Sequence, residues 1–185
     1  MEDRKAIYDS FEEKLRAELI KLCTQFEKLN GKLLGSPDID EKWDEYAREC
    51  VSDAVVNFNG YPVVALAWAA YLGAGVASRW DCGWESHKSD KYQDYYGAQG
   101  YDDMDEHITR DIIGKALDSI DAKEMAALFS TLAEKTLGLI RHEGFESQSV
   151  EAYYILIRCV KVMYQIGASV ELKRLGYNYV PVNVK

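Results

Sequence analysis

From Pro62 to Ser78 the chain runs 17 residues without a charged side chain, PVVALAWAAYLGAGVAS. Such a run has two outlets, a bilayer or the centre of a helical domain. Crossing a hydrocarbon core takes roughly 20 apolar residues, so this run sits at the lower limit. Many of its residues are Ala or Gly, which contribute little to insertion; the strongly apolar ones are Val63, Val64, Leu66, Trp68, Leu72 and Val76. Ala65, Ala69, Gly73 and Ala77 recur every four residues and form a small-residue ridge that lets another helix come close. The flanking helices are amphipathic in the manner of a soluble bundle. The run reads as a buried central helix over 62–79, with no membrane as partner.

The rest of the chain carries helical periodicity almost throughout. Ile7, Phe11, Leu15, Leu19, Leu22, Phe26 and Leu29 keep i, i+4, i+3 spacing, and Asn30-Gly31 closes that helix. Ser36-Pro37-Asp38 opens a second, whose inner face is Trp43, Ala47, Cys50, Val51, Ala54 and Phe58. A fourth is expected from Asp103 to Ser119, with Ile108, Ile112, Ile113, Ala116, Leu117 and Ile120 inward. A fifth spans Asp121–Glu143 before Gly144, and a sixth starts after Ser147 or Ser149 and runs to Gly167 or Leu175. Residues 177–185 alternate like a short extended tail. The expected fold is all-α: one domain over 1–185, about six helices, and a long aromatic and acidic connection at 80–103. The sixth helix is apolar nearly all round, which a layered core or a homodimer through its outer side and the tail would satisfy.

The sequence supports fewer statements about chemistry. With 22 Lys+Arg against 31 Asp+Glu the chain carries a net charge of −9, which disfavours nucleic acid as a partner. Residues 81–121 hold 11 acids against 4 bases, so most of the acidity lies in the middle. The N-terminus shows no secretory pattern, and Cys23, Cys50, Cys82 and Cys159 form no C-x-x-C pair, so a reducing cytoplasm is expected. Phosphate-binding loops, nucleophile elbows and H-E-x-x-H are absent, no metal site or cofactor is expected, and only three histidines occur. Helical magnesium-dependent nucleotide hydrolases need a ladder of carboxylates. Here Arg16 stands where a third Glu should follow Glu12 and Glu13, and Glu49 and Asp53 are expected to face solvent.

What stands out is the stretch 80–107, with Trp80, Trp84, Tyr92, Tyr95, Tyr96 and Tyr101 among its acids. Large aromatics beside carboxylates describe a recognition surface for cationic groups or sugars. Asp103, His107 and Asp111 repeat at four-residue spacing but point away from the apolar side of their helix. Asp105 and Glu106 point toward it, and Arg79 is their expected ion-pair partner. The candidate binding residues are therefore Arg79, Trp80, Trp84, Tyr92, Tyr95, Tyr96, Tyr101, Asp102, Asp105 and Glu106. Two function classes follow. One is a binding protein that meets a basic protein or a small cationic or polar ligand through this segment. The other is a divalent-metal-dependent hydrolase using the same carboxylates.

Overall fold

The computed structural model describes residues 2–178. Among them the architecture is all-helical with six α-helices and no strand. They are α1 (Glu2–Gln25), α2 (Pro37–Phe58), α3 (Pro62–His87), α4 (Met104–His107), α5 (Ile120–Glu143) and α6 (Val150–Arg174). The extended tail expected at 177–185 lies, from residue 179 on, outside the described residues.

Local sequence sets the helix starts. Ser36, Ser119 and Ser149 each accept a hydrogen bond from the backbone N–H three residues on, at 3.3, 3.2 and 3.0 Å. Pro37 and Pro62 occupy first turns, where their missing N–H costs nothing. Gly144, at φ 71°, stops α5 in the left-handed region.

α3 is the centre. Every residue from Ala65 to Ser78 except the half-buried Trp68 is buried, and α6, α2 and α5 pack around it. It is long and apolar enough to cross a membrane by composition, but its apolar window is mostly covered by the other helices. The small-residue ridge works as expected where α3 meets α6. A Cβ on Gly73 would lie 2.0 Å from the Tyr164 carbonyl oxygen, and one on Gly167 would lie 1.9 Å from that of Ala70. α6 is enclosed between α1, α2, α3 and α5, and Ile155, Val162 and Ile166 on its far side are fully buried. Beyond its first turn, where Val150, Tyr153 and Tyr154 stay exposed, its demand for apolar cover is therefore met within one chain. Ion pairs along α1 (Arg4–Glu151, Glu12–Arg158) show that α1 and α6 run parallel, while Lys14–Glu143 and Lys28–Glu124 set α5 antiparallel to them.

Three boundaries differ from expectation. α1 ends at Gln25 rather than at Asn30-Gly31, with Glu27 at φ 60° in the left-handed region just beyond it. α3 does not stop at Arg79 but continues to His87, interrupted at Gly83 where the backbone is extended. It continues because Trp80 and Trp84, one turn apart, both find partners on α2. The irregular connection is accordingly shorter, residues 88–103, and contains two 3₁₀ turns, Tyr92–Tyr95 and Tyr101–Asp103. The fourth helix ends early as well. After one α-turn it winds as a π-turn over Ile108–Ile112, and Gly114 at φ 81° closes it. Ala116, Leu117 and Ile120, expected on its buried face, are therefore exposed.

Candidate interaction site

The stretch 79–106 is built on two carboxylates that gather the surrounding aromatics. The first is Asp53, on the outer side of α2. It accepts the Tyr92 hydroxyl at 2.7 Å and the Tyr96 hydroxyl at the same Oδ2. The Tyr92 and Tyr96 rings meet edge to face at 5.2 Å, and Tyr96 meets Tyr101 likewise at 6.4 Å. Trp68 of α3 donates its indole N–H to the Tyr101 carbonyl at 2.8 Å, pinning the second 3₁₀ turn. Asp53 thus faces a wall of tyrosines rather than the solvent expected for it.

The second carboxylate is Asp90. Arg79 donates to it at 3.0 Å, and His87 Nδ1 lies 2.9 Å from the same oxygen. Its backbone carbonyl accepts the Tyr46 hydroxyl and the Lys42 ammonium. The Arg79 guanidinium lies over the Tyr95 ring, 4.4 Å from its centroid. Arg79 is therefore engaged by Asp90, and its expected pairing with Asp105 or Glu106 does not form. Lys42 is the more unusual cation: almost fully buried on α2, it bonds Glu45 at 2.7 Å and sits between the Tyr46 and Trp84 rings. Trp80 donates to Asp38 at 3.1 Å and packs on Tyr177.

These contacts sort the ten candidate residues. Tyr92 and Tyr95 are core residues, 2% and 0% exposed, so no partner reaches them while the fold is closed. Burial raises the phenol pKa of both, that of Tyr95 to about 12. Trp80, Trp84, Tyr96, Tyr101 and Arg79 are half-buried; Trp80, Trp84 and Tyr96 reach α2, while Tyr101 is held by Trp68 of α3 and Arg79 by Asp90. The Tyr95 and Tyr101 hydroxyls are buried without a hydrogen-bond partner among the described residues. Asp102 and Glu106 are exposed, so Glu106 does not look into the bundle as expected. Asp105 does, in part. Burial pushes its carboxyl pKa up, aided by the neighbouring charges of Glu106 and Asp103 against backbone hydrogen bonds that lower it.

A raised carboxyl pKa means that the folded chain binds this proton more tightly than the unfolded one. The cost of the ionised Asp105 is complete above its folded pKa, shrinks as pH falls below that value and is gone below the unfolded one. Asp105→Asn is expected to raise Tm at neutral pH and to lose that advantage by about pH 3, below the ordinary value of 3.8. Thermal melts of both proteins at the two pH values check this; an equal difference at both would contradict it.

The remaining acids are each held in a different direction. Asp94 accepts the Lys91 backbone N–H at 2.7 Å, and Asp103 accepts that of Gln99 at 3.0 Å. Asp111 lies 2.9 Å from His107 and is also bonded by Arg110, which together hold its pKa down at about 2. Among the described residues, no three His, Cys, Asp or Glu side chains come together as metal ligands.

Comparison with family models, with curated proteins and with solved structures gives no match for this chain.

The residues that sequence reasoning missed here are Asp53, Asp90, Lys42 and Tyr46. Most of their partners lie far along the chain, from 11 residues for Arg79–Asp90 to 48 for Lys42–Asp90. The one available signal was Trp80 and Trp84 at helical spacing after Arg79, masked by Gly83, which reads as a breaker.

Proposed function

We propose that this is a binding protein that docks a basic peptide or protein surface on the acidic face made by the outer side of α2 and the segment 88–106. The observation that carries the reading is the direction of the side chains. The aromatics point inward and lock the segment onto α2, while Glu41, Glu45, Glu49, Asp94, Asp102 and Glu106 stay exposed. Gln93 donates to Glu49 at 2.5 Å, so the two elements form one continuous surface. The exposed acids of these two elements outnumber their exposed bases, Arg48, Lys88 and Lys91. A fixed surface of net negative charge loses little entropy on binding and draws an oppositely charged partner at long range. In this reading the acids recognise, and the tyrosines and tryptophans position them.

The test uses a lysine- and arginine-rich peptide as probe, with binding measured by fluorescence anisotropy at low and high salt. Reversing Glu41, Glu49 and Asp102 to Lys together is expected to weaken binding by about tenfold or more at low salt. Reversing Glu13, Glu134 and Glu146, equally exposed acids elsewhere, changes the net charge by the same amount and is expected to have a much smaller effect. Equal losses for the two triple variants, or no binding by the wild type, would overturn the reading.

A further inference from the structure

The end of the bundle away from Phe26 and Lys173 brings together the start of α1, the end of α2, the start of α3, the end of α5 and the start of α6. It carries a groove of about 570 Å³ walled by Phe58, Leu137, Ile140, Phe145 and Leu156, with Arg141 the one charged residue in its lining. Beside the groove stand apolar side chains that none of the described residues covers: Val56 is 78% exposed, Tyr61 68%, Val150 60% and Tyr153 46%. Isolated exposed apolar residues are ordinary, but several contiguous ones beside a groove mark an interface.

We propose that this end is the contact between two copies of the chain, related by a two-fold axis. Two observations favour a second copy over a charged partner. First, the surface is complementary to itself. A protruding tyrosine on the α2–α3 turn adjoins an apolar groove, so a two-fold places each Tyr61 against the other copy's groove. Second, charge confines the contact to this end. A chain of net charge −9 repels its own copy, and the stretch from Ala54 to Ser78, which supplies Val55, Val56, Tyr61 and Pro62, holds no charge at all. Docking here leaves both acidic faces outward and free. The contact is not the outer side of helix six expected from the sequence, because that side is filled within one chain; only the first turn of α6 takes part.

Sedimentation velocity of the full chain across a concentration series tests the proposal. The wild type is expected to show a monomer–dimer equilibrium below about 200 µM, the range in which small specific interfaces associate. Added salt should leave the dimer unchanged or strengthen it, because it screens repulsion between like charges. Salt weakens the basic-peptide contact instead, so the two proposals fail separately. Tyr61→Asp and Val56→Asp, both at exposed positions, are expected to give monomers with an unchanged circular dichroism spectrum. Phe26→Asp, 51% exposed at the opposite end, should still dimerise. A wild type that stays monomeric throughout, or Tyr61→Asp and Val56→Asp variants that dimerise as well as it does, would overturn the proposal.

Discussion

Gly73→Ala and Gly167→Ala are each expected to cost about 3 kcal/mol or more, although each adds a single methyl group. At both positions the new carbon would overlap a backbone carbonyl of the opposing helix, at 2.0 Å from Tyr164 and 1.9 Å from Ala70. A side chain can rotate away from such a clash, but a helical carbonyl cannot move without carrying its helix. α3 and α6 would separate along their crossing, and the layer of Ala67, Ala70, Ala74 and Ala168 that the close approach buries would open. The intrinsic preference of Ala over Gly in a helix, roughly 1 kcal/mol, works the other way and is overwhelmed. Gly138 isolates that term: it is exposed in α5 and a Cβ there meets nothing within 4 Å. Gly138→Ala should therefore stabilise by about 0.5–1 kcal/mol. Combining Gly73→Ala with Gly167→Ala should cost less than the sum, since the first substitution already parts the helices. Urea unfolding followed by circular dichroism measures all four. Equal effects at positions 138 and 167 would show that the crossing is not close-packed.

That crossing was legible in the sequence because its cause is local. Ala65, Ala69, Gly73 and Ala77 lie on one side of any helix that includes them, and a charge-free run in an acidic chain has to go inside. The cap at Ser36 was legible for the same reason, and the cap of α6 was narrowed to Ser147 or Ser149, since such serines act on N–H groups three residues away; Ser119, expected as the end of the fourth helix, caps α5 instead. The failures share a different cause. The fourth helix was extended to Ser119 by an isoleucine pattern that continues in register, yet its second turn is π-wound and Gly114 closes it. Periodicity cannot register a change of winding. Asp53 looked solvent-facing because its angle on α2 was measured against α2 alone, while Tyr92 and Tyr96 arrive from about forty residues later. Arg79 was matched to acids in the first turn of α4, when the acid that reaches it stands three residues beyond His87. Helix existence and burial follow from nearest neighbours in sequence. The pairing of charges across a fold depends on where loops return, and composition does not encode that return.

Removing the carboxylate of Glu12 is the other change with a large expected effect. Glu12 is only 5% exposed, between α1 and α6. Arg16 donates to it at 2.6 Å, Lys161 lies 3.1 Å away, and Arg158 bonds it together with Asp9. Burial by itself would raise its pKa. The hydrogen bonds from Arg158, Arg16 and Lys161 outweigh that, and the carboxyl is held below its ordinary value of 4.5. Glu12 is the acid on which all three cations converge, so its loss leaves them crowded with too few acceptors. Glu12→Ala should destabilise by about 3 kcal/mol at neutral pH, the lower end for breaking a buried pair, because Arg158 and Lys161 keep partial access to water. The sign of the pH dependence follows from the lowered pKa. The folded chain holds this proton more weakly than the unfolded one, so the contribution is complete above 4.5 and is lost as pH falls through the folded value. The gap between wild type and Glu12→Ala should therefore narrow on acidification, opposite to the behaviour expected for Asp105. A double-mutant cycle with Arg158→Ala should show strong coupling, with the pair costing less than the two single changes added. A gap that stays constant down to about pH 3 would mean that Glu12 acts through packing alone. In that case the arginine standing at the third position of the α1 carboxylate series would not be what turns this helix from a metal-binding pattern into an ion-paired seam with α6.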